Sequence, residues 1–328
     1  MVTITDVAKE ADVSIATVSR VLNNSLQVMP GTRERVLAAV EKLGYEMSLR
    51  KKAIQAQNSG FILTVTNTTL PALNNNIAKA AAAEGMKTIF SLWQPDEDES
   101  LLELLSLHHI CGVLWGAVLP PSPKLMAALA DYPVIELSGS VLFPGNAYRV
   151  IVDEKQMSFD AVSYLLQTGC KKIAMLSTAS TIPENVRRLR QDGYLSAIEN
   201  ARISPWIVYG DYTYDGGYHA AREIFTSAAK GLCDGIFCIC DMMAIGCLNY
   251  LYKVGLNVPE DISVISLDNM EVSEFTVPTL TTMDAGSYDT ALEAVKLLRG
   301  ILGKEYTRGR TIFINHELIC RGSTRPIR

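Results

Sequence analysis

Apolar residues recur every three or four positions in three short segments near the start of the chain, at residues 5–11, 15–22 and 30–43. This spacing predicts three amphipathic helices. Ser14 is a favourable N-cap for the second helix, and Asp12 lies in the short turn before it. Two helices joined by a tight turn and braced by a third form a helix-turn-helix, although a generic three-helix bundle fits the pattern equally well.

From Gly60 onward, short apolar runs alternate with helical segments rich in Ala and Leu. Five runs lie between residues 61 and 152, and four more lie between residues 172 and 267. This alternation predicts parallel β-sheets covered by helices, and the two series predict two similar lobes. Parallel sheets bind ligands beyond the carboxyl ends of their strands, so we expect a ligand site there.

Composition excludes several classes of protein. The chain has 328 residues, of which 48% are hydrophobic and 20% charged, which is typical of two or three folded domains. There is no apolar run long enough to span a membrane, and residues 1–10 lack a secretory signal pattern. The seven cysteines are irregularly spaced without a CxxC pair, so we expect no disulfide scaffold and a reducing, cytoplasmic environment.

Charge distinguishes the start of the chain from the rest. Residues 1–60 carry eight Lys or Arg and six Asp or Glu (+2), and residues 61–328 carry 22 and 29 (−7), which together give −5. Any contact with nucleic acid is therefore expected in the first segment. The sequence has no nucleophile elbow, P-loop or dinucleotide motif, and its four histidines form no metal-ligand pattern. We therefore predict no catalytic residues, no metal and no cofactor.

Residues 2–23 (VTITDVAKEADVSIATVSRVLN) and residues 32–45 resemble the DNA-binding signature of the lactose-repressor/galactose-repressor family. The body is similar to the same family in further stretches, so the resemblance covers nearly the whole chain. These stretches are residues 169–174, 188–194, 241–246, 258–265, 268–269, 278–282 and 317–326. The resemblance implies an α + α/β fold, with a helix-turn-helix headpiece followed by a two-lobed parallel-sheet domain like that of periplasmic binding proteins.

The resemblance also implies a domain organisation. Residues 1–46 would form the helix-turn-helix domain, residues 47–59 a hinge, and residues 60–328 the effector-binding and dimerisation domain. The first lobe would contain residues 60–151 and 283–310, and the second lobe residues 152–282 and 311–328, with crossovers near 152, 282 and 310. No leucine heptad ends the sequence, which favours a homodimer over a tetramer.

The expected DNA contacts combine small, hydroxyl and cationic side chains. Small residues let a helix approach base edges, hydroxyl groups bind phosphates, and Arg20 is suited to a guanine edge. In the family the hinge becomes a helix on DNA and inserts an apolar wedge, here Ile54 where Leu is usual. The sequence departs from the family at Asp12 (usually Gly) and at residues 47–48 (usually Pro-Asn), and a plain charged linker remains an alternative. The predicted contacts are Thr5, Ser14, Ile15, Ala16, Thr17, Ser19, Arg20, Asn23, Arg50, Lys51 and Ile54.

The expected effector contacts follow strand ends or match effector positions of the family. Asp268 could accept hydrogen bonds from sugar hydroxyls, Arg190 could donate to ligand oxygens, and Tyr212 could stack on a ring. Alternatives remain open, because Arg190 and Asp268 could form an interior salt bridge and Asp241 could cap a helix. Trp115 could equally line the cleft or lie in the core. The predicted contacts are Thr68, Thr69, Asp153, Arg190, Tyr212, Asp241 and Asp268.

The leading hypothesis is a DNA-binding transcriptional repressor without a membrane role. A homodimer would bind double-stranded DNA at a near-palindromic operator, and a sugar between the lobes would control its affinity. One alternative is a corepressor-type regulator that binds a purine or nucleoside. A sugar-binding protein or an enzyme without a DNA role is the alternative from another class.

Overall fold

The structure is a computed structural model that describes residues 4–22, 29–43, 60–67, 70–107, 109–139, 143, 147–178, 184–226 and 233–327. The chain divides into two compact units, Met1–Gln57 and Asn58–Arg328, which we call the head and the body. Several predicted contacts lie outside the described residues, and they stay predictions. These are Asn23, Arg50, Lys51, Ile54, Thr68 and Thr69.

The described residues of the head form the helices α1 (Ile4–Glu10), α2 (Ile15–Leu22) and α3 (Pro30–Leu43). Their apolar stripes meet in one small core, in which Val7, Val18 and Val36 are completely buried. The helical spacing in the sequence produces this core, because residues three or four positions apart project from the same face of a helix. The head therefore has the predicted helix-turn-helix arrangement.

The turn between α1 and α2 explains how Asp12 replaces glycine. Asp12 adopts a left-handed backbone with φ 53, a region that Asp tolerates better than most residues. Ser14 then begins α2, because its Oγ accepts a hydrogen bond from the backbone N–H of Thr17 at 3.1 Å. Both local predictions are confirmed.

The body contains alternating strands and helices. In chain order they are β1 (Phe61–Thr66), α4 (Pro71–Ala83), β2 (Lys87–Leu92), α5 (Asp98–Leu107), β3 (Ile110–Trp115), α6 (Pro123–Leu129), β4 (Val134–Glu136), β5 (Tyr148–Val152), α7 (Glu154–Gln167), β6 (Ile173–Thr178), α8 (Glu184–Asn200), β7 (Trp206–Gly210), α9 (Tyr214–Thr226), β8 (Gly235–Cys238), α10 (Asp241–Lys253), β9 (Ser263–Leu267), a 3₁₀ turn (Glu271–Glu274), β10 (Thr281–Asp284), α11 (Ser287–Leu302), β11 (Thr311–Ile314) and β12 (Glu317–Ile319). All nine predicted strands are present.

Two six-stranded sheets define the two lobes. The first sheet has the order β11-β5-β4-β3-β1-β2, and the second has the order β12-β10-β9-β8-β6-β7. All paired strands are parallel except β12, which runs antiparallel to β10. Helices cover the sheets, so strands such as β3 and β6 are buried along their whole length. The predicted two-lobed parallel-sheet fold is confirmed.

Strand pairing corrects two of the predicted lobe boundaries. The crossover after β5 lies at Asp153. However, β10 stays in the second sheet to Asp284, so the next crossover lies at residues 285–286 rather than 282. Similarly, β11 pairs with β5 in the first sheet, so the last crossover lies at residues 315–316 rather than 310. Both strands continue their sheets because their backbone groups find partners there.

Trp115 belongs to the core of the first lobe and does not line a cleft. Its side chain is completely buried, and its ring lies 5.1 Å from that of Trp93 and 5.7 Å from that of Phe143. Its indole N–H donates to the carbonyl of Leu119 at 3.3 Å. The core alternative for Trp115 is therefore the correct one.

Among the helices of the described segments, none has the length and apolarity that crossing a membrane requires.

Candidate functional site

One face of α2 carries most of the predicted DNA contacts in the described part of the head. Ser14, Ala16 and Arg20 are exposed, and Ile15 keeps 49% of its surface accessible. The opposite face, with Val18 and Val21, is buried in the head core. The Ser14 hydroxyl also bonds the Thr17 hydroxyl at 2.9 Å, so capping holds this pair in place. Thr5 on α1 is exposed as well, and of Ser19 the structure describes only its place in α2.

Arg190 and Glu154 form a buried ion pair in the second lobe. Arg190 Nε lies 2.7 Å from Glu154 Oε2, and Arg190 Nη2 lies 3.3 Å from Glu154 Oε1. Glu154 begins α7 directly after the first crossover, whereas Arg190 comes from α8. The two helices meet closely because Gly193 has no side chain: a Cβ there would come within 2.2 Å of the Lys155 carbonyl oxygen. A forked pair of this kind orients the guanidinium firmly.

Two further groups surround the guanidinium of Arg190. Its Nη1 donates to the carbonyl of Ile239 at 2.6 Å, and its Nη2 lies 3.5 Å from Asp268 Oδ1. Burial alone would lower the pKa of Arg190, but the charges of Glu154 and Asp268 outweigh it and raise that pKa. Arg190 is therefore a permanent cation that braces the lobe and also contacts the predicted ligand residue Asp268.

Asp268 lies at the carboxyl end of β9 in an uncommon backbone conformation, with φ 108. Its backbone N–H donates to the carbonyl of Met283 at 2.9 Å, which ties it to the neighbouring strand β10. The surrounding protein atoms raise its pKa to about 7, and the charges of Asp241 and Glu154 add to this while Arg190 opposes it. Because 34% of its side-chain surface stays open, solvent moderates the shift and a ligand can still reach the carboxylate.

Tyr212 and Cys240 complete the cluster. Tyr212 follows β7 and is half-buried, and burial raises its pKa while the charge of Arg190 lowers it. Cys240 precedes α10, and burial raises the pKa of its thiol to about 12, so it is a neutral, weakly polar group. Arg190, Asp268, Tyr212 and Cys240 therefore meet at the carboxyl edge of the second sheet. We refer to these four residues together with Glu154 as the effector cluster.

The structure gives Asp241 a structural role instead of a free carboxylate. It is buried and accepts four hydrogen bonds, from the hydroxyls of Ser266, Ser273 and Thr282 and from the backbone N–H of Met270. A carboxylate has about four lone-pair sites, so none remains for a ligand. We therefore withdraw Asp241 from the predicted contacts.

Asp153 also has a partner within the protein. Its Oδ1 accepts a hydrogen bond from the backbone N–H of Gln156 at 2.9 Å, so it caps the start of α7. Asp153 is exposed at the first crossover, where it caps α7, and its contact with an effector stays a prediction.

Sequence reasoning missed Glu154 as a member of the cluster. It is 36 positions from Arg190, and no motif links the two residues. The only signal was its place in the first turn of a helix that follows a strand end, beside the predicted Asp153.

Comparison with known proteins places this arrangement in a family. The description "Bacterial regulatory proteins, lacI family" matches residues 3–48, and a periplasmic binding protein-like domain matches residues 162–324. Catabolite control protein A of Priestia megaterium is 31% identical over 342 residues, with 99% of each chain covered. This chain belongs to the lacI family of bacterial regulatory proteins.

Solved structures of lacI-family regulators share the fold. The transcriptional regulator CelR in complex with cellobiose has a TM-score of 0.72 and 26% identity, covering 98% of this chain and 100% of the other. The lac repressor dimer bound to operator and an anti-inducer has a TM-score of 0.69 and 23% identity, with 99% of each chain covered. Relatives and neighbours in the lacI family are regulators of transcription that bind DNA, and they are not enzymes.

Proposed function

We propose that this lacI-family regulator is a homodimeric repressor whose operator affinity is set by a sugar bound at the effector cluster. The observation that carries the proposal is the meeting of Arg190, Asp268 and Tyr212 at the carboxyl edge of the second sheet. A guanidinium N–H, a carboxylate and an aromatic face together match the hydroxyls and the apolar face of a sugar ring. The regulator would act in the cytoplasm, where bacterial DNA lies.

The exposed side of α2 would be the surface that binds DNA. Ile15 and Ala16 offer small, apolar contacts, and Arg20 offers a long cation for a base edge or phosphate. Two such helices, one from each protomer, would enter successive major grooves of a near-palindromic operator.

A ligand on Asp268 would act directly on a lobe crossover. Asp268 is tied to Met283, and the neighbouring Asn269 donates through Nδ2 to Asp284 Oδ2 at 2.8 Å. Asp284 ends β10 immediately before the crossover to α11. Lobe closure on a ligand would therefore change the angle between the lobes, and a coupling of about 1–3 kcal/mol changes operator affinity about 5–150-fold.

A second copy of this chain would cover two exposed apolar patches, one on each lobe. The edge strand β2 exposes Phe90 and Leu92. In the second lobe Phe275 and Val277 are 73% and 91% exposed. Exposed apolar groups of this size favour burial in an interface, and most soluble oligomers are symmetric dimers of one chain.

The DNA part is tested with the full chain and fragments of genomic DNA. We expect Arg20→Ala to weaken binding to the genomic fragment that the wild type retains by about 1–3 kcal/mol, which is the range for a specific base contact. Lys79→Ala, which removes one exposed cation from the body, is the matched control and should bind like the wild type. Equal binding by all three proteins would remove α2 from the proposal.

The effector part is tested by thermal shift of the full chain against sugars, nucleosides and nucleobases. A ligand at one hundred times its Kd adds about 2.7 kcal/mol of stability. We expect a sugar to stabilise the wild type and to change operator binding, and Asp268→Asn to lose both effects. A purine that does so instead would favour the corepressor-type alternative, and a ligand unaffected by the substitution would place the site elsewhere.

A further inference from the structure

The guanidinium of Arg190 is already neutralised inside the protein. We propose that Glu154 is a specificity-determining residue that makes the cleft select uncharged effectors and reject phosphorylated or carboxylated ones. This inference rests on the proposed function and names the chemical class of its effector.

The hydrogen bonds of Arg190 show how little of it a ligand can use. A guanidinium has five N–H donors. Two point at Glu154 and one at the carbonyl of Ile239, which leaves one on each terminal nitrogen. Asp268 Oδ1 lies 3.5 Å from one of these nitrogens. An anion that approaches these two N–H groups therefore meets a cation already paired with Glu154 and flanked by the Asp268 carboxyl group.

The charges around Arg190 also favour a neutral ligand. Glu154 alone matches the single positive charge of Arg190, and Asp268 adds a second carboxyl group on the accessible side, which is negatively charged above its raised pKa. The buried Asp241 lies close enough to act on Asp268 as well. An anionic group entering this cluster would be repelled by carboxylates in a poorly solvated site. A sugar hydroxyl, in contrast, can donate to Asp268 and accept from Arg190 in the same position.

Inorganic phosphate tests the inference without knowledge of the effector. Phosphate binding to the full chain is measured by calorimetry for the wild type, Glu154→Gln, and Glu154→Gln combined with Arg190→Gln. The glutamine keeps the size and one acceptor oxygen of Glu154, but its NH2 group faces the guanidinium and the buried cation loses its counter-charge, so circular dichroism first establishes that each variant is folded. Glu199→Gln is the matched control, because it removes one exposed negative charge elsewhere on α8.

We expect Glu154→Gln to bind phosphate roughly tenfold more tightly than the wild type, since it leaves the guanidinium unneutralised. The double variant and Glu199→Gln should bind phosphate no better than the wild type. A gain that needs Arg190 is a result that a merely structural role for Glu154 would not produce. Equal phosphate binding by the wild type and Glu154→Gln would overturn the inference.

Matched ligand pairs separate this inference from the proposed function. Ribose with ribose 5-phosphate, glucose with glucose 6-phosphate, and adenosine with its 5′-monophosphate differ only in the anionic group. If an anionic member changes operator binding by the wild type, the charge selection is wrong and the ligand-controlled repressor stands. If the protein ignores DNA, the proposed function is wrong, and the phosphate experiment still decides the role of Glu154.

Discussion

Each lobe of the body contains a buried pair of glutamate and arginine, and the two pairs differ in what lies beside them. In the first lobe Arg149 Nε lies 3.1 Å from Glu136 Oε2, and Arg149 Nη2 donates to the carbonyl of Phe143 at 2.6 Å. In the second lobe Arg190 binds Glu154 and the carbonyl of Ile239 in a similar way, but it also faces Asp268, which is one-third exposed. The same type of ion pair therefore stabilises the first lobe, and in the second lobe it also forms part of the candidate effector site.

This difference shows that a buried ion pair alone does not indicate a binding site. Burying two charges costs free energy, which their mutual attraction only roughly offsets. What indicates a binding site in the second lobe is a third group, Asp268. Its carboxyl group lies beside the ion pair and is accessible to solvent. In the first lobe the carbonyl of Phe143 accepts a second hydrogen bond from Arg149.

The largest expected effect is a loss of stability, without a loss of effector response, when the arginine of the first-lobe ion pair is removed. Arg149→Met removes the guanidinium whose Nε lies 3.1 Å from Oε2 of the buried Glu136, so the free energy of unfolding should fall by about 3–5 kcal/mol. The response of operator binding to effector should be unchanged in the protein that remains folded. Urea denaturation and a DNA-binding assay measure the two quantities. Arg188→Ala, which breaks an exposed pair with Asp192, is the control and should cost at most about 0.5 kcal/mol. A similar loss in both variants would show that burial does not decide the cost.

A smaller effect is expected from the support beneath Asp268. Asp241→Asn replaces an acceptor of four hydrogen bonds by a side chain with one acceptor oxygen, so a donor of the protein then faces the new amide. We expect a loss of about 2–4 kcal/mol in the free energy of unfolding. If the 3₁₀ turn held by Asp241 also positions Asp268, effector affinity should fall as well. Unchanged stability would mean that Asp241 does not hold the turn.

The smallest expected effect is the pH dependence of stability that Asp268 contributes to the second lobe. The pKa of Asp268 is about 7 in the folded protein against a usual 3.8, so between these values the folded state binds more protons than the unfolded state. The stability that this carboxyl contributes is therefore present at low pH and is lost as pH rises from about 4 to about 7. Asp268→Asn should remove that dependence, so the wild type loses stability relative to the variant between pH 5 and pH 8. Arg149→Met should keep the dependence, and parallel pH curves for the wild type and Asp268→Asn would contradict the assignment.

The sequence predicted the fold well because its signals are local and periodic. Helical spacing in the head, the turn at Asp12 and the nine apolar runs of the body each depend on neighbouring residues. The three short strands near the end of the chain were not predicted, since β10, β11 and β12 have only three or four residues each and depend on their partners. Their pairing moved two lobe boundaries.

The candidate site was predicted only in part, because contacts between distant residues leave little local trace. Arg190, Tyr212 and Asp268 were found through resemblance, and the structure brings them together. Glu154 was missed since its pairing with Arg190 depends on how α7 and α8 cross. In sequence Asp241 looks like the other aspartates that follow strands. Only the four hydrogen bonds that it accepts in the structure distinguish it from a ligand contact.

The interlaced path of the chain between the lobes has a consequence for synthesis and truncation. The first sheet receives its edge strand β11 only at residues 311–314, and the second sheet receives β12 at residues 317–319. Neither sheet is complete until residues 311–319 have left the ribosome, so neither lobe can finish folding before that point. A stop codon near residue 310 would therefore remove an edge strand from both sheets at once.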